Sequence, residues 1–177
     1  LRSKYDCLLT TSKTINDDNP LLNCRVEGLK KKTPDLIILD HLFKVKKNSI
    51  IFNKSKRKIY IFTNTSHVAK ENFFKKKGIK IIKLEKNEEP TTDLENIFYK
   101  IKNLGYNRIL VEAGVTFLDQ LIRNNFIKNF YLFKSATNLG VKGLNNFNSL
   151  YSKKINFSEK NRINVNLNED SLYKVKI

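Results

Sequence analysis

Asp35-Leu36-Ile37-Ile38-Leu39 (DLIIL), with Pro34 just ahead of it, decides the fold. A strand with one wet face alternates apolar and polar residues. Four aliphatics in a row instead predict a strand covered on both faces, as in parallel sheets whose crossover helices lie on either side. Working outward, residues 5–11 (YDCLLTT) and 58–63 (KIYIFT) read the same way. Residues 68–77 have helical spacing closed by Gly78, and residues 79–84 (IKIIKL) follow as a strand. A helix begins at Asp93, with Leu94, Ile97, Ile101 and Leu104 on one face and Gly105 at its end. Strand 108–112 (RILVE) then leads through Ala113-Gly114 into a helix over about 116–124, whose stripe is Leu118, Leu121 and Ile122.

Past that point the pattern changes. Residues 129–134 (NFYLFK) read as a strand, residues 138–151 as a loop, and residues 163–167 and 172–177 alternate as an antiparallel pair joined at 168–170. The expectation is one α/β domain over residues 1–177, with a mainly parallel sheet and an antiparallel C-terminal hairpin. Residues 16–20 (NDDNP) concentrate turn formers and are expected to form a loop.

Composition narrows the class. Hydrophobic residues make up 40% and charged residues 29% of the 177, the balance of a soluble globular chain. No apolar run is long enough for a membrane span, and no signal-peptide pattern opens the chain. Cys7 and Cys24 make neither a disulfide framework nor a metal spacing, so no metal site is expected and the expected setting is cytoplasmic. The chain contains no methionine and opens at Leu1-Arg2 like the tail of a helix, so it reads as a fragment of a longer protein. The net charge of +17 raises a nucleic-acid-binding module as an alternative. Its lysines are spread along the chain, however, and runs such as Lys30–Lys32 and 54–58 read as solvated surface. The aromatics fall inside expected strands and helices instead of interleaving with the cations as a stacking platform would require, so no nucleic-acid partner is expected.

Two segments can carry chemistry. In a parallel sheet, ligands sit beyond the carboxyl ends of the strands, which puts weight on Glu112-Ala113-Gly114. A glycine there permits close backbone approach, and the following helix start offers free N–H groups to a phosphate. From pattern alone Gly114 is equally a tight-turn residue and Glu112 equally a solvated strand end. The second segment, residues 10–22 (TTSKTINDDNPLL), crowds hydroxyls, amides and two acids after a strand, with Arg25 downstream as a cation suited to bidentate phosphate binding.

These residues carry a resemblance. Leu1-Arg2, Leu8-Leu9-Thr10-Thr11-Ser12, Thr14 through Leu22 and Arg25, then Ile37-Ile38-Leu39-Asp40, Val111 through Thr116 and Leu139-Gly140, resemble in order and spacing the reductase domain of the riboflavin-biosynthesis deaminase/reductase. The resemblance implies a three-layer dihydrofolate-reductase-like fold. It also implies NADPH-dependent reduction of the ribosyl group of 5-amino-6-(5-phosphoribosylamino)uracil, with another NADPH-dependent reductase of this fold as the alternative. Arg2, Leu22, Arg25 and Glu112 would contact the substrate. Thr14, Asp18 and His41 would line the cofactor site, Asp18 also being the candidate catalytic group. Gly114, Val115, Thr116, Phe117, Leu118, Asp119 and Gln120 would cradle the cofactor phosphates. A zinc deaminase domain would precede the chain, and homodimers are common in the family. Three positions depart from the pattern. Val115 stands in place of a proline, His41 in place of a serine, and Asn19 separates the acidic pair from Pro20.

Overall fold

A computed structural model of the chain describes residues 1–53, 56–85, 90–137, 158, 161–165 and 167–177. It divides into two compact units, Leu1–Gly114 and Val115–Ile177.

The first unit is built on a five-stranded parallel sheet of β1 (Cys7–Thr11), β2 (Asp35–Leu39), β3 (Ile59–Thr63), β4 (Lys80–Lys83) and β5 (Ile109–Val111), in the order β4-β3-β2-β1-β5. The central aliphatic runs are buried as their composition demands: Leu36, Ile37, Ile38 and Ile61 have no exposed surface. α1 (Ser12–Asp18), α2 (Val68–Lys76) and α3 (Pro90–Asn103) connect the strands. Ile15 of α1 and Phe74 of α2 insert into one core cluster with Leu8, Leu36, Ile38 and Ile61. At the end of α2, Gly78 takes a φ of 75°, and the Gly78 and Ile79 amides return to the Lys75 and Phe74 carbonyls, the glycine-terminated stop anticipated from the sequence.

Residues 16–18 do not form the expected loop. They complete α1, and the turn begins only at Asn19, which adopts a left-handed C-cap with φ 44°. Two forces override the local turn preference. The Thr11 side chain caps the helix by accepting from the Thr14 amide, and Ile15 is drawn into the core. The polar side chains then find work outside the helix. The Asn16 amide donates to the Lys44 carbonyl and its oxygen accepts from the Lys46 amide, while Asn19 Oδ1 accepts from the Ile50 amide. The segment leading out of β2 is thereby stitched to α1, and the buried Asp40 carboxylate holds it from the other end through the Lys44 and Val45 amides at 2.7 and 2.8 Å.

The second unit contains α4 (Val115–Arg123) and a separate antiparallel sheet of β6 (Asn129–Lys134), β8 (Ser171–Lys176) and β7 (Arg162–Ile163), in the order β6-β8-β7. The expected C-terminal hairpin is present as the β7–β8 pair, and β6 joins it on the far side of β8. Ile122 of α4 packs on Phe130 of β6, with Val115, Leu118 and Val175 against them. The loop expected over 138–151, with Leu139-Gly140, lies outside the described residues.

Candidate functional site

The carboxyl ends of β1, β2 and β3 form one row because the strands are in register, Thr11 opposite Leu39 and Leu39 opposite Phe62. Each strand delivers polar residues there. Beyond β1 the Thr14 hydroxyl meets that of Thr11 at 3.2 Å. Beyond β2 stands His41, and beyond β3 stand Asn64 and Thr65. The Asn64 amide nitrogen donates to the Glu85 carbonyl, which fixes the amide's orientation and turns Oδ1 toward His41 Nδ1 at 2.6 Å. The His41 ring faces Asp93 of α3 on its other side, Nε2 to Oδ2 at 3.4 Å. Its main-chain carbonyl accepts from the Thr63 and Thr65 hydroxyls. His41 is therefore a partly exposed ring clamped between neighbours, in the row that also contains Thr14. Asp18 is exposed at the last residue of α1, and its neighbour Asp17 is occupied by Lys13 at 2.6 Å. Both acids are exposed, and of the two it is Asp17 that pairs with the lysine of the preceding turn.

A second group forms beyond β5. Glu112 continues that strand alongside β1, its amide donating to the Leu9 carbonyl at 3.0 Å. Its carboxylate receives Arg2 in a bidentate fork, Nε at 2.8 Å and Nη2 at 2.7 Å, and the remaining Arg2 Nη1 donates to the Asn23 carbonyl at 2.8 Å. The hydrogen bond that Arg2 donates to Glu112, outweighing partial burial, raises the Arg2 pKa above its ordinary value. The Arg2 and Glu112 side chains remain 25% and 32% exposed, so the pair is reachable from solvent. Leu22, one residue before Asn23, is buried and has a φ of 48°. A left-handed leucine costs roughly 1–2 kcal/mol and persists only where its surroundings impose it. Arg25 is exposed two residues beyond Asn23.

Arg57 bonds to the carbonyls of that turn, and it lies in a lysine run read as solvated surface. Its Nη1 donates to the Leu22 and Pro34 carbonyls at 2.8 and 2.9 Å, and its Nη2 to the Leu21 carbonyl at 3.0 Å. Burial above all, with the nearby Arg2 charge adding to it, pulls the Arg57 guanidinium down to about 10, so it stays charged at neutral pH. Its neighbours Lys56 and Lys58 are exposed, as the run predicts. The one available signal was position: Arg57 comes two residues before Ile59-Tyr60-Ile61-Phe62-Thr63, a strand with no exposed residue.

The last expected cofactor residues belong to the second unit. Phe117 is buried, and Val115 and Leu118 pack in the core of that unit. Asp119 pairs with Arg123 at 2.7 Å. Thr116 and Gln120 are exposed. At Gly114 a β-carbon would meet nothing within 4 Å, so its surroundings are open rather than tight. Among the described residues no group of three or more His, Cys, Asp or Glu is placed to hold a metal. Both cysteines are buried and free, and burial pushes the Cys7 thiol up to about 12. Among the described residues no helix is long and apolar enough to cross a membrane.

Comparison with known proteins gives a consistent answer. Residues 1–164 match the family model of the RibD C-terminal domain. The 5-amino-6-(5-phosphoribosylamino)uracil reductase of Buchnera aphidicola subsp. Acyrthosiphon pisum is 30% identical, with 78% of this chain aligned to 70% of that protein. The riboflavin biosynthesis protein RibD of Chlamydia pneumoniae is 26% identical, with 79% of this chain aligned to 38% of that one. Among solved structures, Acinetobacter baumannii RibD superimposes with a TM-score of 0.73 at 15% identity, over 99% of this chain and 48% of that chain. A pyrimidine reductase-like protein of Corynebacterium diphtheriae gives a TM-score of 0.71 at 14% identity, over 99% of this chain and 77% of that one. The chain thus spans about half the length of the solved RibD chain.

Proposed function

The chain belongs to the RibD C-terminal domain family, and from that premise we propose that it reduces the ribosyl group of 5-amino-6-(5-phosphoribosylamino)uracil with NADPH. Its fold is that of the RibD reductase domains, dihydrofolate-reductase-like. The single observation that carries the proposal is the Arg2–Glu112 fork closed by the Asn23 carbonyl. Three of the five Arg2 N–H groups are used there, and the exposed edge of the guanidinium is suited to a phosphate oxygen. Each Glu112 oxygen accepts one bond from Arg2 and has a lone pair left for a sugar hydroxyl. A flat heterocycle without a phosphate would leave that guanidinium edge unused.

The residues fit a dinucleotide by the chemistry of their donor set. Hydroxyls of Thr14 and Thr65 and the His41 ring line the carboxyl edge of the parallel sheet, the usual place for such a ligand. NADPH, when bound, supplies the hydride that C1′ of the opened ribosyl group accepts. The protein's part is orientation. Arg2 and Glu112 fix the phosphorylated sugar chain, Thr14 and His41 meet the cofactor, and Asp18 presents an exposed carboxyl for positioning or proton supply. Arg25 receives the substrate phosphate together with Arg2, with Leu22 beside the two arginines. A deaminase domain joined to the chain in the full protein, a homodimer and a cytoplasmic location complete the reading. The joined deaminase domain is supported by a structurally similar protein from Thermotoga maritima, 18% identical, that is named both deaminase and reductase.

The test is oxidation of NADPH by the intact protein, with the pyrimidine nucleotide and with a pterin as alternative acceptors. Turnover of the first and not the second is expected. Glu112→Gln should lower kcat/KM roughly a hundredfold, and Asp18→Asn should lower kcat about tenfold or more. Turnover of the pterin alone would overturn the substrate assignment.

A further inference from the structure

We infer that Arg57 is a positioning residue for the substrate end of the site: it grips the Leu21 and Leu22 carbonyls and so holds the turn that presents the Asn23 carbonyl to Arg2, the partner of Glu112. The inference rests on the reductase reading, and its chain of contacts is short. Arg57 holds residues 21 and 22, residue 23 holds Arg2, and Arg2 holds Glu112. Two features separate this arrangement from ordinary packing. The middle residue of the grip, Leu22, is held at a φ of 48°, which side chains with a β-carbon avoid, so the turn would relax without an external restraint. The restraint also has a specific shape. One planar guanidinium reaches three carbonyls, including that of Pro34 just before β2, so the turn is referenced to the rigid sheet. A lysine supplies the charge but not the fork.

Arg57 itself stands at the entry to β3 and enters no strand ladder, so its removal leaves the sheet's own hydrogen bonds intact. Without it, Leu22 would return to negative φ, the Asn23 carbonyl would turn away, and Arg2 would keep Glu112 but lose its third anchor. The substrate end of the site would loosen while the row of Thr14 and His41 stayed in place.

Steady-state kinetics on the intact protein, varying the pyrimidine substrate and NADPH separately, test this with Arg57→Ala, Arg57→Lys, Arg2→Ala and the double variant Arg57→Ala/Arg2→Ala. Arg57→Ala should raise KM for the pyrimidine about tenfold, with kcat and KM for NADPH within about twofold of wild type. Arg57→Lys should recover only part of the loss. The double variant should fall short of the sum of the two single losses, because Arg57 acts in large part through Arg2. A folded Arg57→Ala protein with unchanged KM for the pyrimidine, equal rises in both KM values, or fully additive losses would each overturn the inference. If Arg57→Ala does not fold, Arg57→Lys with Arg57→Lys/Arg2→Ala poses the same question, and additive losses there overturn it equally. Wild-type protein inert toward the pyrimidine defeats the reductase reading itself, before any variant is made, and this inference with it.

Discussion

Strands β1 to β3 and strands β6 and β8 are built from similarly apolar residues but meet water differently. In the first group nearly every residue is buried, and β3 has no exposed position at all. In the second group buried Phe130 and Leu172 share strands with exposed Phe133, Lys134, Lys174 and Lys176. A strand covered on both faces leaves only its ends available to a ligand, so the chemistry of the first unit collects in the segments that follow Thr11, Leu39, Thr63 and Val111. A strand with a wet face can spend side chains on solvent along its whole length, and its sequence is less constrained as a result.

The sharpest way to break this contrast is Phe74→Ala. Phe74 has no exposed surface and meets the rings of Phe43, Phe52 and Phe73 at centroid distances of 6.0, 4.9 and 5.3 Å. Urea unfolding should show a loss of about 3–5 kcal/mol. A smaller effect is expected where the first unit's strands begin. Asp6 takes the Asn107 and Arg108 amides and the Arg108 guanidinium, which ties the start of β1 to that of β5. The Arg108 hydrogen bonds hold its carboxyl below the usual aspartate range. A carboxylate depressed in the folded state stabilises above its unfolded pKa of about 4 and loses that contribution as pH falls through the lower folded value. Asp6→Asn should therefore cost about 1 kcal/mol near neutrality, after allowance for the exposure of Arg108. The gap to wild type should narrow below about pH 4, and a gap independent of pH would show that charge plays no part. The smallest effect belongs to the second unit. Phe133, 59% exposed on β6, should be replaceable by alanine within about 0.5 kcal/mol in the same unfolding experiment.

The same contrast explains what could be read from the amino acids. Asp35–Leu39 announced its burial because covered strands tolerate only apolar side chains. The glycine stops at Gly78 and Gly105 were legible because both residues take positive φ. Residues 16–18 were misread because their turn preference is local, whereas the cap from Thr11 and the pull on Ile15 come from the fold. Arg57 was missed for a related reason: a cation bonded to main-chain carbonyls leaves no complementary residue in the sequence to mark it. Arg2 and Glu112 were each singled out, but their mutual fork across 110 residues of chain could not be seen until the sheet brought them together.

The order β4-β3-β2-β1-β5 imposes a timetable on synthesis. As the nascent chain leaves the ribosome, β2, β3 and β4 can be added one after another to the same side of β1. The opposite side of β1 must wait for Ile109–Val111, about a hundred residues behind it. Throughout that interval β1 offers an open row of amides and carbonyls to any other extended peptide nearby. Translation speed between β1 and β5 therefore sets how long the growing protein remains vulnerable to mispairing.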